Sequence, residues 1–580
     1  MTTKTLWKLL KVTTVVFAAI FCAVDETLAD EIGKRITSVE QLSQESDSLS
    51  QVTSVSQFSD VQPTDWAFQA LQSLVERYGC IAGYPNGTYR GNRALTRYEF
   101  AAGLNACLDR VNELIATATA DLVKREDLAT LQRLQEEFAA ELATLRGRVD
   151  AVEARTAELE VNQFSTTTKL TGEAIFNVAE AFGDDRAFPY GFDRDDFNGV
   201  NLANQTQVVN RIATLTGFNT AQAQALLNSY GAGNFANLDK DVAGNTVFAD
   251  QVRLNFDASF FGNDRLRVRL QARNITLYST STTGTNMTRF GFDGNEDNTF
   301  RIDDLYYQFY VGNTLRVNIA AAQTEFLDSI YTFNPTLQSN GTGAISRYGS
   351  LSPIYRIADN SAGVTLTFRP NSSVNASLGL LSPQASNPDL GRGLFNGSYA
   401  AIGQITFRPS NAFNIGLTYV RSYFNSEGGV NLLSSTGSLN ATRPFGNFAT
   451  IADNYGFEAF FRPSAKFEIS GWIGYTTAQA KAGPFEGSNA NILYWAGAVA
   501  LKDLGKEGSF LGIVFGQPPK VTDSDVIEDP NTSYHLEALY RLQINDNISI
   551  TPGILVIFNP EHNNDNNTIY VGTLRTTFSF

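Results

Sequence analysis

From Gln404 to Val420 the chain alternates apolar and polar residues on either side of a tight turn. Ile405 and Phe407 point one way, and Gln404, Thr406 and Arg408 the other. After Pro409, the residues Phe413, Ile415, Leu417 and Tyr419 alternate with Asn414, Gly416 and Thr418. Period two is the signature of a strand with one apolar and one polar face. Proline cannot donate to a ladder, so Pro409 marks the turn. The same design recurs in TLTFRPNSSVNASLGL from Thr365, FEAFFRPSAKFEISGWIGY from Phe457 and LEALYRLQINDNISITPGI from Leu536. Three further hairpins begin at Ala258, Tyr306 and Gly497. With a strand near Lys169 and another at the C-terminus, the repeat predicts about sixteen antiparallel strands, an all-β transmembrane barrel over 163–580. Long connections are expected at Thr276–Thr299, Thr324–Asn360, Tyr423–Ala452 and Gln517–Thr532, and about seventy residues separate the first two strands, with a short helix at Thr220–Tyr230. Short turns then face the periplasm and long loops the outside.

Strand parity assigns faces. Val252, Leu254 and Phe256 oppose Arg253, Asn255 and Asp257; Leu266, Val268, Leu270 and Ala272 oppose Arg267, Arg269, Gln271 and Arg273; Leu315, Val317 and Ile319 oppose Arg316 and Asn318. An arginine facing lipid at the bilayer midplane costs about 2–4 kcal/mol. Arg253, Asp257, Arg267, Arg269, Arg273 and Arg316 are therefore expected to line a polar lumen. Pairing of these arginines with Asp257, Asp303 or loop acids is compatible with lining it. If the segment Thr324–Asn360 folds inward, its Glu325 and Asp328 would face this arginine wall, with Arg347 and Arg356 alongside.

The N-terminal part reads differently. Residues 1–29 have basic Lys4, Lys8 and Lys11, an apolar run from Val12 to Val24 and small residues before Asp30, the layout of a signal peptide. Residues 30–56 are rich in Ser, Gln and acids, a flexible lead-in. In 57–120, Pro63–Tyr78 predicts one helix and Thr96 with Glu99 a capping box opening a second. In 121–162, Leu128, Leu131, Gln135, Phe138, Leu142, Leu145, Val149, Val152, Thr156 and Leu159 fall alternately three and four apart, a coiled-coil seam about 48 Å long.

The run from Phe58 through Trp66, Gly79, Gly83-Tyr84 and Thr96-Arg97-Tyr98-Glu99-Phe100 resembles a surface-layer-homology (SLH) domain, a small α-helical module that binds cell-wall polymers. The resemblance implies that Trp66, Arg97 and Glu99 meet a peptidoglycan-linked polysaccharide. Tyr98 stands where alanine is commoner in that family. The family often uses such modules in threes, so one copy beside a heptad seam leads to a homotrimer. Cys80 and Cys107 both fall in this module; export favours a disulfide between them, though two buried thiols fit the spacing as well. The architecture from Phe58 to Phe580 resembles the SLH-domain porins of cyanobacteria, whose barrel is related to the carbohydrate-selective OprB porins. That resemblance implies an outer-membrane location, with the SLH domain and coiled coil in the periplasm, and carbohydrate or iron and ion uptake. A last strand ending in Phe580 resembles the assembly signal of bacterial outer-membrane proteins.

The 580 residues carry a net charge of −15, with two His and three Cys. No basic patch accompanies a reading motif, so no nucleic-acid partner is expected. No hydrolase elbow, phosphate loop or zinc-ligand spacing occurs, so no enzyme, cofactor or metal is expected. The partners expected are outer-membrane lipid, peptidoglycan-linked polysaccharide and further copies of the chain. Two functions fit: a wall-anchored diffusion channel, and a membrane-to-wall tether with a closed barrel.

Overall fold

The computed structural model describes residues 53–79, 81, 87–91, 93–94, 96–117, 133–134, 168–371 and 373–580. The chain divides into two compact units, Glu26–Gln163 and a unit containing Phe164–Phe580. The expected signal peptide, the lead-in to Val52, Cys80 and almost all of the coiled-coil segment lie outside the described residues.

In the larger unit, seventeen strands form one sheet. One of them, Gly294–Asn295, is a two-residue rung against the end of a longer strand. The other sixteen are β1 (Thr168–Phe182), β2 (Val247–Ala258), β3 (Arg265–Ile275), β4 (Arg301–Val311), β5 (Leu315–Thr324), β6 (Ser361–Phe368), β7 (Val374–Ser382) and β8 (Tyr399–Ser410). They continue with β9 (Phe413–Phe424), β10 (Thr450–Ser464), β11 (Phe467–Ala480), β12 (Asn489–Lys502), β13 (Phe510–Ser524), β14 (Tyr534–Asn545), β15 (Ile548–Phe558) and β16 (Ile569–Ser579). Each pairs antiparallel with its sequence neighbours, and β1 pairs with both β2 and β16. The sheet thus closes into a sixteen-stranded barrel with no free edge.

Parity places the faces as read. Along β9, exposed Leu417 and Tyr419 alternate with buried Gly416, Thr418 and Val420. Leu378, Ile405, Phe457 and Ile473 present apolar side chains outward, while Gln404, Thr418, Asn454 and Glu458 are buried on the inner face. This is the reverse of a water-soluble fold and the arrangement that lipid demands.

The predicted helix Thr220–Tyr230 forms with those bounds. A second helix, Gln205–Thr216, precedes it in the first long connection. The expected connection Gln517–Thr532 is corrected: β13 runs on to Ser524 despite Pro518 and Pro519. Its pairing with β14 stops at Gly516, so the missing proline N–H groups leave no β14 rung unmade, while the β12 ladder absorbs a register shift there.

In the smaller unit, Val55, Phe58, Leu71 and Val75 make a compact core, joined by Val61, Phe68, Ile81 and Tyr89. The Asp60 carboxylate accepts the Tyr89 and Arg90 amides at 2.6 Å each. The single helix expected at Pro63–Tyr78 is shorter: an α-turn at Phe68–Gln72 passes into a π-turn at Ser73–Arg77. The second helix, α1, spans Arg97–Thr117.

Candidate pore lining and the inward loop

The wall over β1–β4 is an ion-pair ladder. Arg267 grips Asp257 through two parallel bonds, at 2.7 and 2.6 Å. Arg269 donates to Asp303 and lies 4.0 Å from Asp304. Arg253 lies 3.9 Å from Asp303 and 4.0 Å from Glu173. Arg273 pairs with Glu296 at 3.0 Å. Arg316, one strand further on, meets no carboxylate among the described residues; it donates to the Ser329 carbonyl and to Thr367 Oγ1. Gln251 and Gln271 bond to each other on the same inner face. The sequence-read arginines thus share one face; Arg253, Arg267 and Arg269 are joined by carboxylates at cross-strand spacing, where opposite charges attract, and Arg273 by a carboxylate of a connection. Asp304, Glu173 and Glu296 were not singled out from the sequence, although Glu173 holds the inward parity of KLTGEAIFNVA. Glu296 sits in a connection, where period two gives no signal.

The connection between β5 and β6, residues 325–360, folds into the barrel and circuits its wall. Ser329 accepts from Thr365 of β6 at 2.8 Å. The Tyr331 carbonyl accepts from Gln404 of β8 at 3.0 Å, and Asn334 from Ser470 of β11 at 2.8 Å. On the far side, Arg575 of β16 donates to the carbonyls of Asn340, Gly343 and Ala344. Glu537 of β14 accepts the Ile345 and Ser346 amides at 2.6 and 3.1 Å. The return leg passes β12 and β13 at Tyr348, and β9 at Tyr355. Two glycines make room. A Cβ on Gly416 would lie 2.3 Å from the Phe333 ring, and one on Gly553 would lie 2.1 Å from Ile345.

The loop's own charges turn inward on each other. Glu325 pairs with Arg356 and Arg347 with Asp359, both at 3.0 Å. Asp328 accepts the Glu325 amide at 2.7 Å. Of the two loop acids expected to face the arginine wall, Asp328 lies close enough for its charge to act on Arg269, while Glu325 is taken up by Arg356. The first partners of Arg253, Arg267, Arg269 and Arg273 are carboxylates of the wall and of the connection after β3, and those of Arg316 are Ser329 of the loop and Thr367.

Beyond the strand ends, the long connections pack together. Glu561 accepts from Thr285 at 2.6 Å and from the Leu439 amide at 2.7 Å, tying three connections at one carboxyl. Asp529 accepts from Ser438 and from the Val521 amide at 2.7 Å each. Burial, aided by the charge of Asp529, pushes Glu561 up to about 8. Burial likewise pushes Asp529 up to about 7. His562 is held neutral, its pKa lowered to about 3 by burial; it accepts the Ser533 amide and faces the Pro519 carbonyl. His535 is buried on β14 beside Ser346.

In the smaller unit, Trp66 is 73% exposed beside a shallow apolar hollow lined by Ala67, Ala70, Leu71, Leu74 and Tyr89. Arg97 and Glu99 lie on α1, and their side chains lie outside the described residues. Cys107 of α1 is in a disulfide. Among the described residues, no group of three or more His, Cys, Asp or Glu is placed to hold a metal ion.

A closed antiparallel barrel with a lipid-facing apolar exterior, a charged interior and an inward-folded loop defines an outer-membrane porin. Residues 125–580 match the model of the carbohydrate-selective porin, OprB family, and the chain belongs to that family. Residues 57–101 match the S-layer homology domain. The chain is 45% identical over 563 residues to an uncharacterized protein of Nostoc sp., covering 92% of this chain and 86% of that one. It is 40% identical over 116 residues to the outer membrane protein SlpA of Thermus thermophilus, covering 19% of this chain and 12% of that one. The solved structure of Pseudomonas putida OprB aligns with a TM-score of 0.42 at 12% identity, over 74% of this chain and 97% of that one. The protein is thus a porin of the outer membrane that carries an SLH domain, and its family points to a channel and not an enzyme.

Proposed function

We propose that the barrel is a water-filled channel for passive diffusion of small polar solutes, sugars and inorganic ions among them, held to the cell wall by the SLH domain on its periplasmic side. The observation that carries this reading is the inner face of β1–β5. Arg253, Arg267, Arg269, Arg273 and Arg316 stand there with partial exposure, opposite an apolar exterior. Charged side chains paired across strands and still wetted are what a polar path through a membrane requires. Single-channel recording in a planar lipid bilayer tests it: discrete conductance steps that scale with salt concentration are expected.

A second reading, a membrane-to-wall tether with a closed barrel, has its own observation. Phe326, Tyr348, Ile354 and Tyr355 of the inward loop are almost wholly buried inside the barrel. A folded, inserted barrel that gives no conductance would favour that reading.

For anchoring, Trp66 is the exposed aromatic beside the apolar hollow, a shape on which a sugar ring can stack. Replacing it tests the wall contact. Trp66→Ala should reduce co-sedimentation with purified cell-wall sacculi severalfold while leaving barrel folding intact. Equal co-sedimentation would remove Trp66 from the contact.

A further inference from the structure

The Phe-Arg-Pro turns make one more site. The motif occurs at Phe368-Arg369-Pro370, Phe407-Arg408-Pro409 and Phe461-Arg462-Pro463. In each, parity sends the phenylalanine outward: Phe368, Phe407 and Phe461 are 47%, 44% and 45% exposed. They form part of an aromatic girdle at the membrane boundary. The arginine after each phenylalanine takes an inward position at the short-turn end of its hairpin. The motif therefore sets arginines around the inside of the short-turn mouth.

Two of these arginines lack a carboxylate. Arg462 is paired with Glu468 at 2.8 Å. Arg369 and Arg408 form no ion pair among the described residues, and neither does Arg316 on the neighbouring strand. Strands β5–β9, and the turns joining β6 to β7 and β8 to β9, contain no Asp or Glu at all. That absence stands out in a chain of net charge −15. Arg369 and Arg408 line a cavity of about 420 Å³ with Asn371, Asn375, Ser410 and Asn411. The cavity opens to solvent and offers guanidinium, amide and hydroxyl groups, with no carboxylate among its described lining residues. Arg408 is steadied by the Tyr331 ring at 4.7 Å and by Asn414 at 3.2 Å. Arg316 is close enough to Arg369 to feel its charge.

We infer that the short-turn mouth of the barrel holds a binding site for a small oxyanion, a phosphate- or carboxylate-bearing solute, gripped by Arg369 and Arg408. Unpaired guanidinium forks suit such anions because they donate in parallel to two oxygens. The low-dielectric barrel wall concentrates their field on the mouth. The inward direction of both side chains makes the ligand a dissolved anion and not a lipid headgroup. The site would hold anions at the periplasmic exit and slow their release. As an element of permeation it rests on the channel reading; as a binding site it does not.

The test uses the full-length protein and inorganic phosphate. In planar bilayers with chloride as carrier, phosphate added on the short-turn side should reduce chloride conductance in a saturable way. In detergent, titration calorimetry should give a matching dissociation constant. The Arg369→Gln/Arg408→Gln variant, its barrel checked by circular dichroism, should bind phosphate roughly tenfold more weakly or worse, the scale of lost charge-assisted bonds. Arg421→Gln, at the opposite end of β9 and paired with Asp453, should bind as the parent does. Equal binding by parent and double variant overturns the proposal, as does a parent that binds no phosphate. A parent that binds phosphate through these arginines yet never conducts would uphold the site and sink the channel reading instead.

Discussion

Arg267 and Arg269 show what a single side chain contributes to the wall. Four arginines of the ladder, Arg253, Arg267, Arg269 and Arg273, face five carboxylates, Glu173, Asp257, Asp303, Asp304 and Glu296. The wall is therefore close to charge balance. Replacing Arg267 and Arg269 with Gln removes two positive charges and strips Asp257 and Asp303 of their main partners. The expected result is a shift of the reversal potential toward cations. It should be large at about 0.01 M salt, where charges act over about 30 Å, and should vanish near 1 M, where they act over about 3 Å. Identical low-salt potentials in variant and parent would mean that these side chains lie off the conducting path. Parity along RLRVRLQARN was enough to say that the arginines share a face. Among the acids it named, Asp257 and Asp303 do pair with Arg267 and Arg269; Glu173, from a strand far away in sequence, it did not reach. Nor did it mark Arg369 and Arg408: the turn repeat was visible as a repeat, but its charge pattern matters only once the acid-free strands β5–β9 are set side by side.

Elements were legible to unequal degrees. The hairpins could be read because short turns and period two are local. The inward loop could be located from its length, but its route past β8, β11, β16, β14 and β9 is tertiary, fixed by Arg575, Glu537 and two glycines that no periodicity marks. The layer of long connections was the least legible, since its ties cross hundreds of residues. Glu561 is the sharpest of them, and it makes that layer pH-sensitive. Its pKa is raised from 4.5 to about 8, so the packed layer holds a proton that an opened layer releases. The layer should be most stable below pH 4.5. It should loosen progressively as pH rises to about 8 and change little from this group beyond that. Limited proteolysis of the segment around Leu439 should accordingly run several times faster at pH 8.5 than at pH 5, after correction for protease activity. Glu561→Gln, which keeps the shape and cannot ionise, should flatten that dependence. A variant as pH-dependent as the parent would place the titrating group elsewhere, Asp529 being the next candidate because its pKa is raised to about 7.

At the scale of the whole molecule, the question is how many chains stand together. The heptad residues of 121–162 lie almost wholly outside the described residues, and α1 ends just before them at Thr117. Leu104, Leu108 and Ile115 are 48%, 52% and 56% exposed, and with Val111 they succeed each other at spacings of four, three and four. A regular apolar stripe left open on a helix is the face a coiled coil buries. We propose that three chains associate through this stripe and the seam that includes Leu142 and Leu145, which would group three SLH modules for contact with the wall. Cross-linking of the intact protein in mild detergent should give a trimer. Under this proposal, changing Leu142 and Leu145 to Asp would put charges into the seam and should destabilise the association of the N-terminal segments by several kcal/mol. Contacts between barrels could still hold the trimer, so the readout must separate the two. In the variant, cross-links within the N-terminal helices should be lost even where the barrels stay trimeric by native mass spectrometry. Sacculus co-sedimentation should fall along with them, because three weak wall contacts acting together bind far more tightly than one. An intact protein that is monomeric by both methods would end the trimer proposal, and a variant with unchanged helix cross-links would show that the seam is not the contact.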